Sequence, residues 1–210
     1  MDLLLHPGYL PNIANFAALA QYDICWEVKD NYQKQTFRNR CYISTDQGQY
    51  MLNIPIKHIG GNKNKQKYAE VAVDNDYHWQ RQHWRTLQTA YRTSPFFEFY
   101  EDEIAPLYEQ NFHFLMDFNL KAIEVICDCL QIAMPQKRTD IYQPMPTDKV
   151  DGRHLIDSKI TLQLEFPEYV QVFNDRNPFI PNLSVLDLLF NEGTNTLSYL
   201  KEIKLDFRNA

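Results

Sequence analysis

The sequence predicts a single α/β domain over residues 1–210, with a mixed β-sheet in its N-terminal part packed against several helices. Three observations predict it. Short apolar runs bounded by Gly, Pro, Asn or Asp crowd the first 75 residues, the pattern of brief strands. The apolar period then lengthens to that of helices over residues 77–92 and 112–131. Apolar residues make up 44% of the chain and aromatic residues 14%, enough for one sizeable core.

Leu3-Leu4-Leu5 reads as a short buried strand that His6-Pro7-Gly8 breaks. Ile13, Phe16, Ala17 and Ala20 follow at helical spacing. Strand, turn and helix place Tyr9 at a strand's carboxyl end, where ligands gather in open α/β sheets. Neither GxGxxG nor GxxxxGK[ST] is present, so a dinucleotide or P-loop site has no basis, and the sequence leaves any cofactor unknown. Residues 24–28 form a second strand, and residues 40–43 and 50–56 form a hairpin around Asp46-Gln47-Gly48. Residues 69–73 add another short strand. Ser94-Pro95 has the form of an N-cap and first-turn proline. Residues 133–153, rich in Pro, Lys, Asp and Gly, read as a connector or a lid. Residues 169–173 suggest a strand, and residues 158–162 end a strand or open a short amphipathic segment. Asn182 or Ser184 caps a helix over residues 185–190 that Gly193 ends, and residues 197–207 show no clear state.

The formal net charge of -6 argues against nucleic acid, which demands a basic surplus or a strong local patch. Lys57, Lys63, Lys65 and Lys67 cluster in a Gly/Asn-rich loop without aromatic interleaving, which suits a solvated loop before a phosphate clamp or lid. The four cysteines lack CxxC spacing and the pattern of a secreted disulfide scaffold, so a reducing, cytoplasmic setting is expected. The first apolar run is too short for a signal peptide, and no run reaches the length of a membrane span.

The richest polar stretch is Lys34-Gln35-Thr36-Phe37-Arg38-Asn39-Arg40. If extended, it places Arg38 and Arg40 on one face and Asn39 on the other. Guanidinium forks suit the phosphates of a nucleotide-linked sugar or another small phosphorylated molecule; the alternative is ion pairing with the chain's own acids. His83 shares a helix face with Trp79 and Tyr91 and is a candidate general base, or a packed helix histidine. His78 falls in the first turn of that helix, five residues before His83, so HExxH is absent and no metal is expected. His6 and Tyr9 follow the first strand and face the same cleft as His83 if the topology holds. Asp187 either orients a histidine or completes a capping box with Ser184. No serine or cysteine stands in a nucleophile-elbow context.

Several of these segments resemble the WbqC-like protein family. His6-Pro7-Gly8-Tyr9-Leu10-Pro11 is similar to that family's Gln-Pro-x-Tyr-Leu-Pro opening, with His6 where Gln is usual and Gly8 where Asn is commoner. Tyr32 to Arg40 resembles its Lys/Arg-Asn-Arg stretch, and Leu52-Asn53-Ile54-Pro55-Ile56 its strand ending in proline. Trp79, His83 and Tyr91 with Ser94-Pro95-Phe96-Phe97, and Asn182 to Gly193, match two later segments in order. The resemblance implies a place in surface-polysaccharide biosynthesis, including O-antigen. It also implies a transferase moving an acyl or aminoacyl group onto the amino sugar of a nucleotide sugar. The alternative is a noncatalytic binding or scaffold protein of the same pathway. Under the transferase reading His83, Tyr9 and Asp187 are catalytic, and Lys34, Arg38, Asn39, Arg40, His6 and Tyr91 bind substrate. A Gln at the position of His6 implies a hydrogen-bonding role there rather than a catalytic one.

Overall fold

Three consecutive leucines cannot alternate between core and solvent, so they require apolar cover on both faces, as in a parallel sheet. The computed structural model describes residues 1–57 and 66–207. In it β1 (Leu3–Leu5) lies inside a four-stranded parallel sheet and is at most 1% exposed. The order is β5 (Lys137–Arg138), β2 (Ile24–Trp26), β1, β6 (Val150–Asp151). Leu3 pairs with Ile24 on one side and with Val150 on the other. β3 (Arg40–Thr45) and β4 (Gly48–Asn53) form a separate antiparallel hairpin in the register Cys41↔Leu52 and Thr45↔Gly48.

The helices are α1 (Ile13–Gln21), α2 (Trp79–Tyr91), α3 (Phe97–Ile104), α4 (Leu115–Cys129), α5 (Val185–Glu192) and α6 (Thr196–Glu202). α1 and α5 begin side by side. Ile13 N–H donates to Leu183 O and Val185 N–H to Pro11 O. Asn12 caps α1 through Asn15 N–H, and Ser184 caps α5 through Leu186 N–H. Asn182, in left-handed backbone at φ 54°, accepts from Ala14 N–H and so caps the neighbouring helix instead of its own. α5 is buried from Val185 to Asn191 and forms the centre of the helical layer. Cys25, Cys41 and Cys127 are buried and Cys129 half-buried, all as free thiols. No helix of the described residues is long and apolar enough to cross a membrane.

The α/β class is as the sequence predicts, but the sheet is assembled differently. Its edges come from the 133–153 segment, whose β5 and β6 are two residues each. The 69–73 strand reduces to a 3-10 turn at Tyr68–Glu70 and single bridges at Ala72 and Val73. No strand forms over 169–173, because side chains take the ladder's place: Gln171 donates to Ile180 O and accepts from Ile180 N–H, each at 2.9 Å. Ser94 is not an N-cap. α3 begins two residues later, after Phe96, and Ser94 Oγ donates instead to Tyr91 O at the end of α2. The 112–131 helix is shorter, at Leu115–Cys129, and part of the 197–207 tail belongs to α6. Of the lysine cluster, Lys63 and Lys65 lie outside the described residues.

Gly193 ends α5 at φ 55° and ψ −121°, and a Cβ added there would lie 2.5 Å from the Phe96 ring. Both the backbone and the contact reject a side chain. Gly193→Ala is expected to lower unfolding stability by roughly 2–4 kcal/mol, measured by urea denaturation. A loss below about 0.5 kcal/mol would show that Phe96 moves aside freely.

Candidate functional site

The ends of the four parallel strands line two hollows. His6 follows β1, Glu27 and Asp30 follow β2, Thr139 follows β5, and Arg153 and His154 follow β6. The chain sets β2 and β5 on one side of β1 and returns to place β6 on the other, so strand order reverses at β1. A crevice at such a reversal is a usual ligand site in open α/β sheets. The cleft measures about 260 Å³ and is lined by His6, Asp30, Arg38, Tyr142, Arg153 and His154, among others. A neighbouring hollow of about 220 Å³ is lined by Glu27, Arg138, Thr139 and Asp148, among others.

Asp30 Oδ2 lies 3.0 Å from His6 Nε2 and 3.0 Å from Arg38 Nη2, and these two nitrogens are 2.8 Å apart. All three residues are buried. Two tautomers of His6 fit: Nε2–H donating to Asp30, or Nε2 accepting from Arg38 with the proton on Nδ1. In both, Nδ1 has no hydrogen-bond partner among the described residues. Burial lowers the His6 pKa to about 4, against the hydrogen bond to Asp30, so the ring is neutral at pH 7. Burial pushes the Asp30 carboxyl up, but the His6 hydrogen bond and the Arg38 charge carry it below its ordinary value.

Arg153 organises the other wall. Its Nε and Nη2 grip Asp151 at 2.8 and 2.6 Å, and Nη1 and Nη2 donate to Gln143 O and Pro144 O. Its guanidinium stacks 5.4 Å from the Tyr142 ring centre. The connector between β5 and β6 is therefore tied to the cleft by one arginine. The hydrogen bond to Asp151 raises the Arg153 pKa, and burial lowers that of His154. Among the described residues no group of three or more His, Cys, Asp or Glu converges to hold a metal ion.

The Lys34–Arg40 stretch is not extended. It turns, and Arg38 and Arg40 part company. Arg38 enters the strand-end cleft. Lys34, Asn39 and Arg40 line a separate cavity of about 610 Å³ below the β3–β4 hairpin, with Tyr32, Lys57, Asp74 and Tyr77. The shared-face arrangement of the two guanidiniums is thus overturned by the turn at residues 37–39.

The remaining candidates sit in the core. The Tyr9 hydroxyl and His83 Nδ1 are 2.7 Å apart, and the Tyr108 hydroxyl is 3.2 Å from that of Tyr9. Trp79 and Phe118 enclose the pair. Tyr9 is fully buried and His83 is 6% exposed, so neither lines the strand-end cleft or the hairpin cavity. Asp187 does not orient a histidine. It accepts from the hydroxyls of Tyr91 at 2.7 Å and Tyr169 at 2.6 Å, and from Gln171 Nε2 at 3.2 Å, with no exposure. Tyr91 also accepts from Ser44 N–H, which makes it a core strut rather than a group at either cleft. Burial raises the Asp187 pKa despite these hydrogen bonds.

The sequence reading did not single out Asp30, Asp151, Arg153 or His154. The signal for Asp30 was its place in the turn after a strand; two-residue strands gave none for the others.

A family model described as the WbqC-like protein family matches residues 6–164 and 151–199. The chain belongs to the WbqC-like protein family. The uncharacterized protein Rv1507c of Mycobacterium tuberculosis (strain ATCC 25618 / H37Rv) is a relative, 26% identical over 94% of this chain and 96% of its own length. No solved structure matches. The family match begins at His6 and covers both walls of the strand-end cleft and the hairpin cavity.

In this WbqC-like chain His6 and His83 are both buried neutral, each with its pKa lowered to about 4, chiefly by burial. The unfolded chain binds both protons near pH 6.5, so their contribution is complete above that pH and lost as pH falls from 6.5 toward 4. Unfolding free energy should therefore fall by about 1.4 kcal/mol per pH unit for each histidine over that window. Asp187 acts with the opposite sign, because its raised pKa relieves strain on protonation at the acid end. Urea denaturation from pH 7.5 to 4.5 checks this, and His83→Asn should remove one of the two slopes. A flat profile would contradict the buried neutral state.

Proposed function

We propose that the protein transfers an acyl or aminoacyl group onto the amine of an amino sugar carried by a nucleotide. The setting would be surface-polysaccharide biosynthesis, including O-antigen, inside the cell. The single observation that carries this reading is the convergence of the ends of β1 and β6 and the loop after β2 on one polar cleft. The family membership supports the pathway.

The cleft's chemistry favours the sugar end of such a substrate. Arg38 is paired with Asp30 and Arg153 with Asp151, and Asp157 adds a further carboxylate. Guanidiniums whose charge is already matched by a carboxylate draw a phosphate from water less strongly, although Arg38 Nε has no hydrogen-bond partner of its own among the described residues. Hydroxyl and amino groups fit this lining better. Gln at the position of His6 would accept from Arg38 and donate onward, which the tautomer with Nδ1–H reproduces. His6 then positions the sugar.

His154 lines the same cleft, is half-buried, and has its pKa lowered by burial, so it is neutral at pH 7. It is the group suited to take the amine's proton as nitrogen attacks the donor's carbonyl carbon. The carbonyl then re-forms as the leaving group departs, and His154 returns the proton to it. His83, enclosed by Tyr9 and Trp79, takes no part. The competing reading is a binding protein without turnover, favoured by the carboxylate pairing of Arg38 and Arg153.

The test combines calorimetry with mass-spectrometric detection of N-acylated product, using nucleotide-linked amino sugars and acyl thioesters. His154→Ala should bind the sugar normally and turn over about 100-fold more slowly or less. His6→Gln should retain both. Binding without product in the wild type would favour the binding-protein reading. Absence of binding across the panel would remove the cleft from consideration.

A further inference from the structure

Arg40 lines the hairpin cavity without a carboxylate partner among the described residues. Its Nε is shielded from solvent and has no hydrogen-bond partner, and its guanidinium makes no ion pair with any described residue. Arg38 and Arg153, by contrast, each hold a carboxylate, although Arg38 Nε is likewise buried without a hydrogen-bond partner. A donor withheld from water and left unmatched is costly, so the free protein keeps a place for an acceptor there.

The surroundings say what kind. Lys34, Arg40 and Lys57 face a single carboxylate, Asp74, across a cavity of about 610 Å³. Lys57 is engaged by Asp76 at 3.6 Å and Asp74 at 4.0 Å, which leaves Lys34 and Arg40 available. In a chain of net charge -6 this is a local excess of positive charge. Asn39 adds an acceptor. It is 5% exposed, and its Nδ2 is fixed by Asn53 Oδ1 and Ile54 O, both at 3.0 Å. Those two bonds set the amide's orientation and leave Oδ1 buried without a donor. Tyr32, Tyr77 and Pro55 supply apolar and aromatic wall.

We infer that this hairpin cavity binds a small phosphorylated molecule that also carries a hydroxyl. Arg40 and Lys34 hold the phosphate, and Asn39 Oδ1 accepts from the hydroxyl. Nucleotides and sugar phosphates share this chemistry. The site is distinct from the strand-end cleft, and the inference does not rest on the transfer reading. If that reading also holds, the cavity takes the phosphorylated part of a substrate.

The experiment is calorimetry on the whole chain with three probes: inorganic pyrophosphate, uridine diphosphate and a hexose 1-phosphate. The proteins are the wild type, Arg40→Gln and Lys34→Gln. The expected result is binding of at least one probe, weakened 10- to 100-fold by Arg40→Gln and about 3- to 10-fold by Lys34→Gln. Lys34 is exposed, so its substitution leaves folding intact if Arg40→Gln proves unstable. A stronger response to the sugar phosphate than to uridine diphosphate would assign the hydroxyl to a sugar ring. The Arg40 Nε–H resonance should also shift on adding pyrophosphate. The inference is overturned if no probe binds at millimolar concentration. It is equally overturned if binding ignores both Arg40→Gln and Lys34→Gln, which would place the anion outside this cavity.

Discussion

A guanidinium with no access to solvent must find its counter-charge inside the protein, and much of the fold is arranged around the place where Arg38 finds Asp30. The side chain joins the loop after β2 to the end of β1 through Asp30 and His6, and its guanidinium lies 5.3 Å from the Tyr68 ring centre. Its carbonyl accepts from Asn119 of α4 at 2.7 Å, and Tyr68 donates to Pro7 O at 2.6 Å. One residue thereby links two strand ends, a 3-10 turn and a helix. Replacing one member of such a buried pair leaves the other charge without compensation, a penalty of about 3–5 kcal/mol.

That constraint explains why the polar stretch around it is split. Arg38 is committed inward, so the chain must turn at residues 37–39, and the turn sends Asn39 and Arg40 to the opposite side. The cleft at the strand ends is left with paired charges and two neutral imidazoles, His6 and His154. The hairpin cavity is left with unpaired cations and an open amide oxygen. The difference is electrostatic, not one of residue type, since both sites contain arginine.

Some features were legible because they depend on near neighbours in the chain. The triple-leucine strand, the α1 periodicity, the Ser184 cap and the Gly193 stop follow from local rules of burial and backbone geometry. The hairpin over β3 and β4 followed from its glycine turn. Features that rest on distant partners were misread. The 169–173 run has the composition of a strand, yet Gln171 satisfies Ile180 and Tyr169 reaches Asp187. Ser94 looked like a cap because capping residues and turn residues are the same types.

The same division holds for the candidate site. By itself the sequence determined the α/β class, the position of His6 and Tyr9 after the first strand, and the family resemblance, because each is written in contiguous residues. Tertiary structure decided that Tyr9 and His83 pack against each other in an aromatic core, that Asp187 serves tyrosines, and that Arg38 and Arg40 belong to different cavities. It also brought in Asp151, Arg153 and His154 from a connector whose strands are two residues long. Strands that short carry no periodic signal. Their place at the sheet's edge is fixed only by backbone hydrogen bonds to β1 and β2, partners more than 100 residues away.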